Sequence, residues 1–395
     1  MKFIEDINIK NKKVLIRVDY NVPMQNGEIV NDYRILRSLE TIQYCLDNNA
    51  SIVLMSHLGR PSGVNKEELS LEPVLWHLED ILEQEIHFAD DCISEEAMSM
   101  SKKLKPKEIL LLENLRFHDE EIKNDYKFSE QLSKMGDIYI NDAFGTAHRS
   151  HASNVGVASF LSRKGFGFLI RDEIKYLKTS MEDSKKPLTF IIGGSKISTK
   201  ISLIENIINK ADVILVGGAM AFTFLKALGH EVGKSLIEDD YISTAKNIIQ
   251  KCKENKTTLQ FPVDVVCSKD MDSNEQIDVK PIDSIDEDDI GLDIGPETCI
   301  NYDMFIESSK TLIWNGPLGL FENPYFSTGT QAIANSLINT KNNHNAVVVI
   351  GGGDTVTAID SFNSELDYSH ISTGGGSALE LLSGKKLPAL TALED

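Results

Sequence analysis

The feature that most constrains this chain is a repeated pairing of a short unbroken apolar run with a segment of helical periodicity. The runs are KVLIRVDYNVP, ASIVLMSHLGRP, EILLLENLRF and DIYINDAFG in the first half, then LTFIIGGS, DVILVGGAM, LQFPVDVVC, TLIWNGPLG and AVVVIGGGD. Continuous Val/Ile/Leu runs, unlike alternating ones, suit parallel strands covered on both faces. Between them, Ile197, Ile201, Ile204 and Ile208 fall at i, i+4, i+7 and i+11, which predicts a helix with one apolar face. At 395 residues the chain exceeds what a single core serves well. Pattern and length together predict the α/β class, as two doubly wound, Rossmann-like parallel-sheet domains. In GFLIRDEIKYLKTSMEDSKKP, the residues Ile170, Ile174, Leu177 and Met181 repeat at helical spacing, which predicts a connecting helix. The expected division is 1–167, the connecting helix 168–186, 187–373 and a C-terminal segment 374–395. The acidic stretch from Asp283 to Asp289 reads as a solvated loop.

The two halves differ in how they could hold phosphate. All eight arginines lie at or before Arg171. The second half carries glycine clusters after apolar runs instead: IIGGSK, LVGGAM, VVVIGGGDT and ISTGGGSALE. Arginine offers a planar fork of donors to carboxylate and phosphate oxygens, whereas glycines at strand ends let backbone N–H groups approach phosphates. Two phosphorylated ligands, one for each half, are therefore expected.

In open α/β sheets ligands bind outside the carboxyl ends of the strands, and the polar residues concentrate there. Asp19 and Asn21 follow VLIRV, His57 and Arg60 follow IVLM, and Arg116 follows ILLLENL. Arg149 follows IYINDAFGTAH, and Arg34 lies a short loop beyond the first run. In GGSKISTK, Lys196 and Lys200 are four apart and are expected on one face of the following helix, near its positive end. Asp354 in IGGGDT could hold Mg²⁺ or cap its helix. Ser377 and Glu380 have the spacing of a capping box, leaving Gly374 to Gly376 as a phosphate contact or a hinge.

A net charge of −20 argues against nucleic acid or an anionic membrane as partner. The scattered cysteines Cys45, Cys92, Cys252, Cys267 and Cys299 show no CxxC or metal-ligand spacing and read as reduced thiols. The N-terminus has no apolar signal region and no run reaches membrane-spanning length, so a cytoplasmic protein is expected. No GxGxxG follows a strand, which disfavours a nicotinamide-dependent dehydrogenase, and GHEVGKS departs from the Walker A spacing. A non-catalytic nucleotide-binding protein would have no need of Arg34, Lys196 and Asp354, yet all three are present.

RVDYNVP, SHLGRP, LLENLRF, NDAFGTAHR, GGSKISTK, GGAMAFTFLK, GLDIGPET, WNGPLGLFE, IGGGDT and STGGGSALELLSGKKLPAL together resemble the phosphoglycerate kinase family, from about residue 10 to the end. The resemblance implies reversible phosphoryl transfer between 1,3-bisphosphoglycerate and ADP, giving 3-phosphoglycerate and ATP, with Mg²⁺ bound beside the nucleotide. It implies that the C-terminal segment folds back onto the N-terminal domain, that the domains close about a hinge, and that the chain works as a monomer. It implies that Asp19, Asn21, Arg34, His57, Arg60, Arg116 and Arg149 bind the glycerate ligand. Lys196 and Lys200 would contact the nucleotide phosphates and the transferring group. Gly217, Gly218 and Gly291 would border the adenine, Glu322 the ribose, and Gly351, Gly352, Gly353, Asp354 and Thr355 the phosphates, with Asp354 on the metal. Arg34, Lys196, Lys200, Gly352 and Gly375 would carry the chemistry. Ser195 and Thr199 stand where the family often has Ala and Asp, and Tyr20 where Phe or Leu is common.

Overall fold

The computed structural model describes residues 1–61, 63, 64, 66–272, 276–362 and 367–394. The chain divides into two compact units, Met1–Ile174 with Lys386–Asp395, and Lys175–Lys385. Each is built on one six-stranded sheet whose strands are all parallel.

In the first unit the strands are β1 (Lys13–Arg17), β2 (Ser51–Met55), β3 (His87–Ala89), β4 (Ile109–Leu112), β5 (Ile138–Asn141) and β6 (Lys164–Phe166), in the order β3-β4-β2-β1-β5-β6. Every residue of β2, β4 and β5 is buried, as continuous apolar runs require of strands covered on both faces. One face packs Val14, Ile16, Ile52, Leu54, Ile109 and Ile138 against Ile42 and Cys45 of helix Leu39–Asp47 and Val74 and Leu78 of helix Glu72–Leu82. The connection leaving β1 runs to β2 on one side and the connection leaving β5 runs to β6 on the other, so the strand order switches between β1 and β5. That is where an open sheet of this kind leaves a crevice.

In the second unit the sheet is built from β7 (Leu188–Ile192), β8 (Val213–Val216) and β9 (Thr258–Gln260). A separate antiparallel sheet, β11-β10-β12, follows from β10 (Asp264–Ser268), β11 (Asp278–Pro281) and β12 (Ile290–Ile294). The main sheet is completed by β13 (Thr311–Asn315), β14 (Val347–Gly351) and β15 (His370–Ile371), in the order β9-β8-β7-β13-β14-β15. Its switch point lies between β7 and β13. Backbones meet closely there: Gly193 N–H donates to Asn315 O at 3.1 Å, and Gly194 N–H to Pro317 O at 2.9 Å. A Cβ on Gly193 would stand 2.1 Å from Pro317 O, so only glycine permits this approach.

Several sequence expectations are corrected. LQFPVDVVC is not one strand. Pro262 cannot donate to a ladder, and the run splits into β9 in the parallel sheet and β10 in the antiparallel one. Lys196 and Lys200 do not share a helix face, because a 3-10 turn, Ile197–Thr199, intervenes and the helix begins only at Ile201. Gly375, at φ 48°, is the N-cap of helix Gly376–Leu382 and no side chain caps it, so Ser377 and Glu380 form no capping box. The acidic stretch is only partly solvated, since Asp289 is buried, and Lys280 Nζ pairs with Asp289 at 2.5 Å and with Asp286 at 2.6 Å. The 168–186 segment is helical over Phe168–Glu173 and Ser180–Glu182 with a wide π turn, Ile174–Thr179, between them.

Candidate active site

The end of β1 organises the polar cluster of the first unit. Tyr20 N–H donates to Ser56 Oγ at 2.8 Å, and its hydroxyl lies 3.1 Å from Ser38 Oγ, which fixes the chain just past Asp19. Asp19, nearly buried, pairs with Arg34 Nη1 at 3.2 Å, and the same nitrogen donates to Asn21 O at 3.0 Å. Asn21 Oδ1 accepts from Gly59 N–H at 2.8 Å, tying the loop after β1 to the loop after β2. Arg116, in the 3-10 turn Leu115–Phe117 after β4, donates from Nη1 to Gly59 O at 2.7 Å. Its Nε and Nη2 are buried with no hydrogen-bond partner among the described residues.

Arg17 ends β1 fully buried. Its Nε donates to Ser153 Oγ at 2.8 Å, and Ser153 in turn donates from Oγ at 2.6 Å and from N–H at 2.9 Å to buried Glu121. Its Nη2 lies 3.1 Å from His57 Nδ1. A guanidinium can only donate. His57 Nδ1 is therefore the acceptor of a neutral ring, and the ring's proton sits on Nε2. Burial, followed by the charges of Arg17, Arg116, Arg149 and Arg34, pushes His57 well below its usual range, which agrees with a neutral ring.

The cluster is overloaded with positive charge. Burial, then Arg149 and Arg17, lowers Arg116 to about 10, and burial, then Arg60, lowers Arg149. His151 falls to about 4 through burial and then the same arginines. The carboxylates at hand are Asp19 and Glu121. Buried cations that depress one another, with two N–H donors left unpaired, form a site that an anion would complete. Asp19, Asn21, Arg34, His57, Arg116 and Arg149 thus converge, while Arg60 is exposed and reaches the cluster through its charge on Arg149. Sequence reasoning passed over Arg17, hidden inside an apolar strand run, and His151. The HRSH spacing after β5 was the available signal for the latter.

The second unit holds a half-open pocket of about 220 Å³ beside the β7/β13 switch point. Gly194, Gly218 and Pro317 line it, β12 contributes Ile290, Gly291 and Leu292, and Leu236, Leu320, Glu322 and Asp354 are also part of the lining. Gly218 has φ 64°, and a Cβ on it would meet Gly194 N at 2.7 Å. A Cβ on Gly291 would stand 2.0 Å from the Phe222 ring, so glycine lets β12 pack closely enough to wall the pocket. Gly217 does not line it; its missing Cβ makes room for Leu318.

Asp354 is not the helix N-cap. Gly352, at φ 93°, holds that position, and Asp354 stands exposed in the first turn of helix Gly353–Ser361. Gly351 ends β14, and Gly353 faces open space. Thr355 is buried, its Oγ1 accepting from Gly316 N–H at 2.7 Å, so its side chain holds the β13 loop. Lys196 is exposed at the turn before the helix. Lys200 Nζ donates to Asn315 Oδ1. Burial lowers Lys200 to about 8, with Asp354 pulling the other way. Asn315 Nδ2 is buried without a partner among the described residues. Sequence reasoning passed over Asn315, although WNGPLG placed it at a strand end. Gly375 lies apart from these linings, at the start of its own short helix.

The family model described as phosphoglycerate kinase matches residues 4–385. The chain is 47% identical to the phosphoglycerate kinase of Finegoldia magna over 396 residues, covering 100% of this chain and 99% of that one. It is 45% identical to that of Prosthecochloris aestuarii, with the same coverage. The solved structure of phosphoglycerate kinase from Coxiella burnetii superposes with a TM-score of 0.89 at 39% identity, covering 99% of this chain and 98% of that one. That from Pyrococcus horikoshii gives 0.87 at 31%, covering 100% and 98%.

Proposed function

The chain belongs to the phosphoglycerate kinase family and is a kinase of glycolysis that moves a phosphoryl group reversibly between 1,3-bisphosphoglycerate and ADP, and from that premise we propose how its residues divide the work. The glycerate ligand binds in the first unit, on Asp19, Asn21, Arg34, His57, Arg60, Arg116 and Arg149. The observation that carries this reading is the pair of buried, unpartnered donors on Arg116 inside a cluster of cations. Arg17 positions rather than binds: it holds His57 with its Nε2 proton available to a carboxylate or phosphate oxygen.

The nucleotide binds in the second unit. Its base lies along Gly218 and Gly291, with Gly217 supporting the wall behind, and its ribose reaches Glu322. Its phosphates meet Gly351, Gly352, Gly353 and Thr355 with Lys196 and Lys200. The glycine-bordered pocket beside a strand-order switch supports this placement. Asp354 fits Mg²⁺, since an exposed carboxylate at the pocket, shared with phosphate oxygens, is a common ligand set for that ion. When bound, the ion neutralises charge on the phosphate oxygens.

The acceptor carboxylate is already ionised at neutral pH, so no general base is needed. The chain's task is to align the ligands and offset spread negative charge. Arg34, Lys196, Lys200 and the Gly352 and Gly375 backbones do this once the units close about the 168–186 segment. Closure also excludes the water that would hydrolyse an acyl phosphate. The proposed domains are 1–167 and 187–373; of the C-terminal segment 374–395, only Lys386–Asp395 completes the first unit, and 374–385 lies with the second. The chain acts as a cytoplasmic monomer on small-molecule substrates; among the described residues no helix is long and apolar enough to cross a membrane.

The test is ATP consumption with 3-phosphoglycerate as sole acceptor and hydroxylamine present to trap acyl phosphate. Hydroxamate equal to the ADP formed is expected. ADP formed without hydroxamate would mean transfer to water and would overturn the reading.

A further inference from the structure

A second cluster of chemistry-bearing side chains lies in the first unit, apart from the residues proposed to bind glycerate. After β3 the chain turns through Asp91 and Cys92, and His118 follows the 3-10 turn beyond β4. One ligand atom from each of Asp91, Cys92 and His118 lies within 4.8 Å of the others. They share a recess of about 190 Å³ with Glu113 and Phe117. We propose that Asp91, Cys92 and His118 form a binding site for a divalent transition metal of the zinc class.

The three side chains are already held in place. Asp91 Oδ1 accepts from Ile93 N–H at 2.7 Å, which turns Oδ2 toward His118 Nε2, 2.7 Å away. The His118 ring lies against Phe128, with centroids 5.4 Å apart. Cys92 is only 1% exposed, so its sulfur is reached through the recess. Glu113 belongs to the wall and not to the ligand set, because its oxygens accept from Ser70 Oγ at 2.6 Å and Leu71 N–H at 2.9 Å.

The donor set selects the metal. A sulfur, an imidazole nitrogen and a carboxylate oxygen suit Zn²⁺ and its neighbours, whereas Mg²⁺ and Ca²⁺ take oxygen alone. Tetrahedral bonds of about 2.0–2.3 Å put ligand atoms roughly 3.3–3.7 Å apart, so shifts on the order of 1 Å would close the set. A water in the recess supplies the fourth position. Binding exchanges the Cys92 thiol proton, released to solvent, for the metal. The thiolate and the Asp91 carboxylate then balance the ion's two charges. The sequence does not announce this site, because the cysteine and histidine come from two different strand ends.

The experiment titrates the metal-stripped full chain with Co²⁺. A near-ultraviolet sulfur-to-cobalt band should grow to one equivalent with the visible bands of four-coordination, and Zn²⁺ should displace it. Cys92→Ser should abolish the sulfur band, while Cys267→Ser, on a buried cysteine outside the cluster, should leave it intact. His118→Ala should weaken binding by more than the 10–100-fold that loss of an outer-shell partner typically costs. X-ray absorption on the Zn²⁺-loaded parent reads the same point without a variant and should show one sulfur in the first shell. No sulfur band in the parent, a band that survives Cys92→Ser, or a first shell of oxygen and nitrogen alone would overturn the proposal.

Discussion

Replacing Arg116 with Met separates a binding cation from a structural one. Among the described residues the Arg116 side chain makes one hydrogen bond, from Nη1 to Gly59 O at 2.7 Å, and leaves Nε and Nη2 buried and unpaired. Bonds to charged partners contribute about 1.5–3 kcal/mol each. Two such donors delivered to a ligand anion amount to roughly 3–6 kcal/mol, or about 10²–10⁴ in Kd. The cost to folding is far smaller. Loss of the charge-assisted Gly59 bond costs about 1.5–3 kcal/mol, and removing one of three mutually repelling guanidinium groups, Arg17, Arg116 and Arg149, offsets most of it. The unfolding midpoint of the first unit should therefore move by no more than about 2–4 °C. Titration calorimetry with 3-phosphoglycerate, paired with a thermal melt, reads both quantities. Affinity within fivefold of the parent would refute the reasoning, as would a melt lowered by ten degrees or more, which would make Arg116 a structural residue.

The other predictions concern the second unit. Burial favours the neutral amine of Lys200, so above about pH 8 phosphate binding must first recharge it. ADP affinity should be level below that pH and fall by up to about tenfold per unit above it, and Lys200→Arg should remove the inflection in a calorimetric pH series. Asp354→Asn should weaken Mg-ADP at least about tenfold while leaving metal-free ADP binding and the melt unchanged, because Asp354 caps nothing; equal loss with and without metal would remove it from the metal. Gly193→Ala would force a Cβ to 2.1 Å from Pro317 O, so denaturant unfolding of the second unit should show a loss of about 2–3 kcal/mol or more with weakened ADP binding. Parental stability in that variant would contradict the close approach at the switch point.

What was legible in the sequence were the elements with an unbroken signal. The central strands β4, β2, β1 and β5, and β8, β7, β13 and β14, are the long apolar runs. The edge strands β3, β6 and β15 are two or three residues long and carry no pattern of their own; pairing with an existing neighbour makes them strands. The antiparallel sheet escaped notice because β11 is mostly exposed and lies next to acidic residues. At the candidate sites, residues on strand ends were visible because strand ends place ligands. Arg17 was not, since a buried arginine inside VLIRV reads as part of a strand until Ser153 and Glu121 come beside it. The Asp354 cap failed for a local reason: Gly352 adopts a positive φ that starts the helix earlier.

The central claim is that charge placement, without a base, performs the transfer. The most direct test is the single-turnover rate of Arg34→Ala, with both ligands saturating, against the parent. Arg34 Nη1 is held by Asp19 at 3.2 Å and by the Asn21 carbonyl at 3.0 Å, so one arm of its fork is anchored before the ligand arrives. Loss of such a cationic clamp predicts a rate lower by on the order of 10³-fold or more, with Arg34→Lys restoring only part because the fork is gone. An Arg34→Ala rate within twofold of the parent would contradict the account.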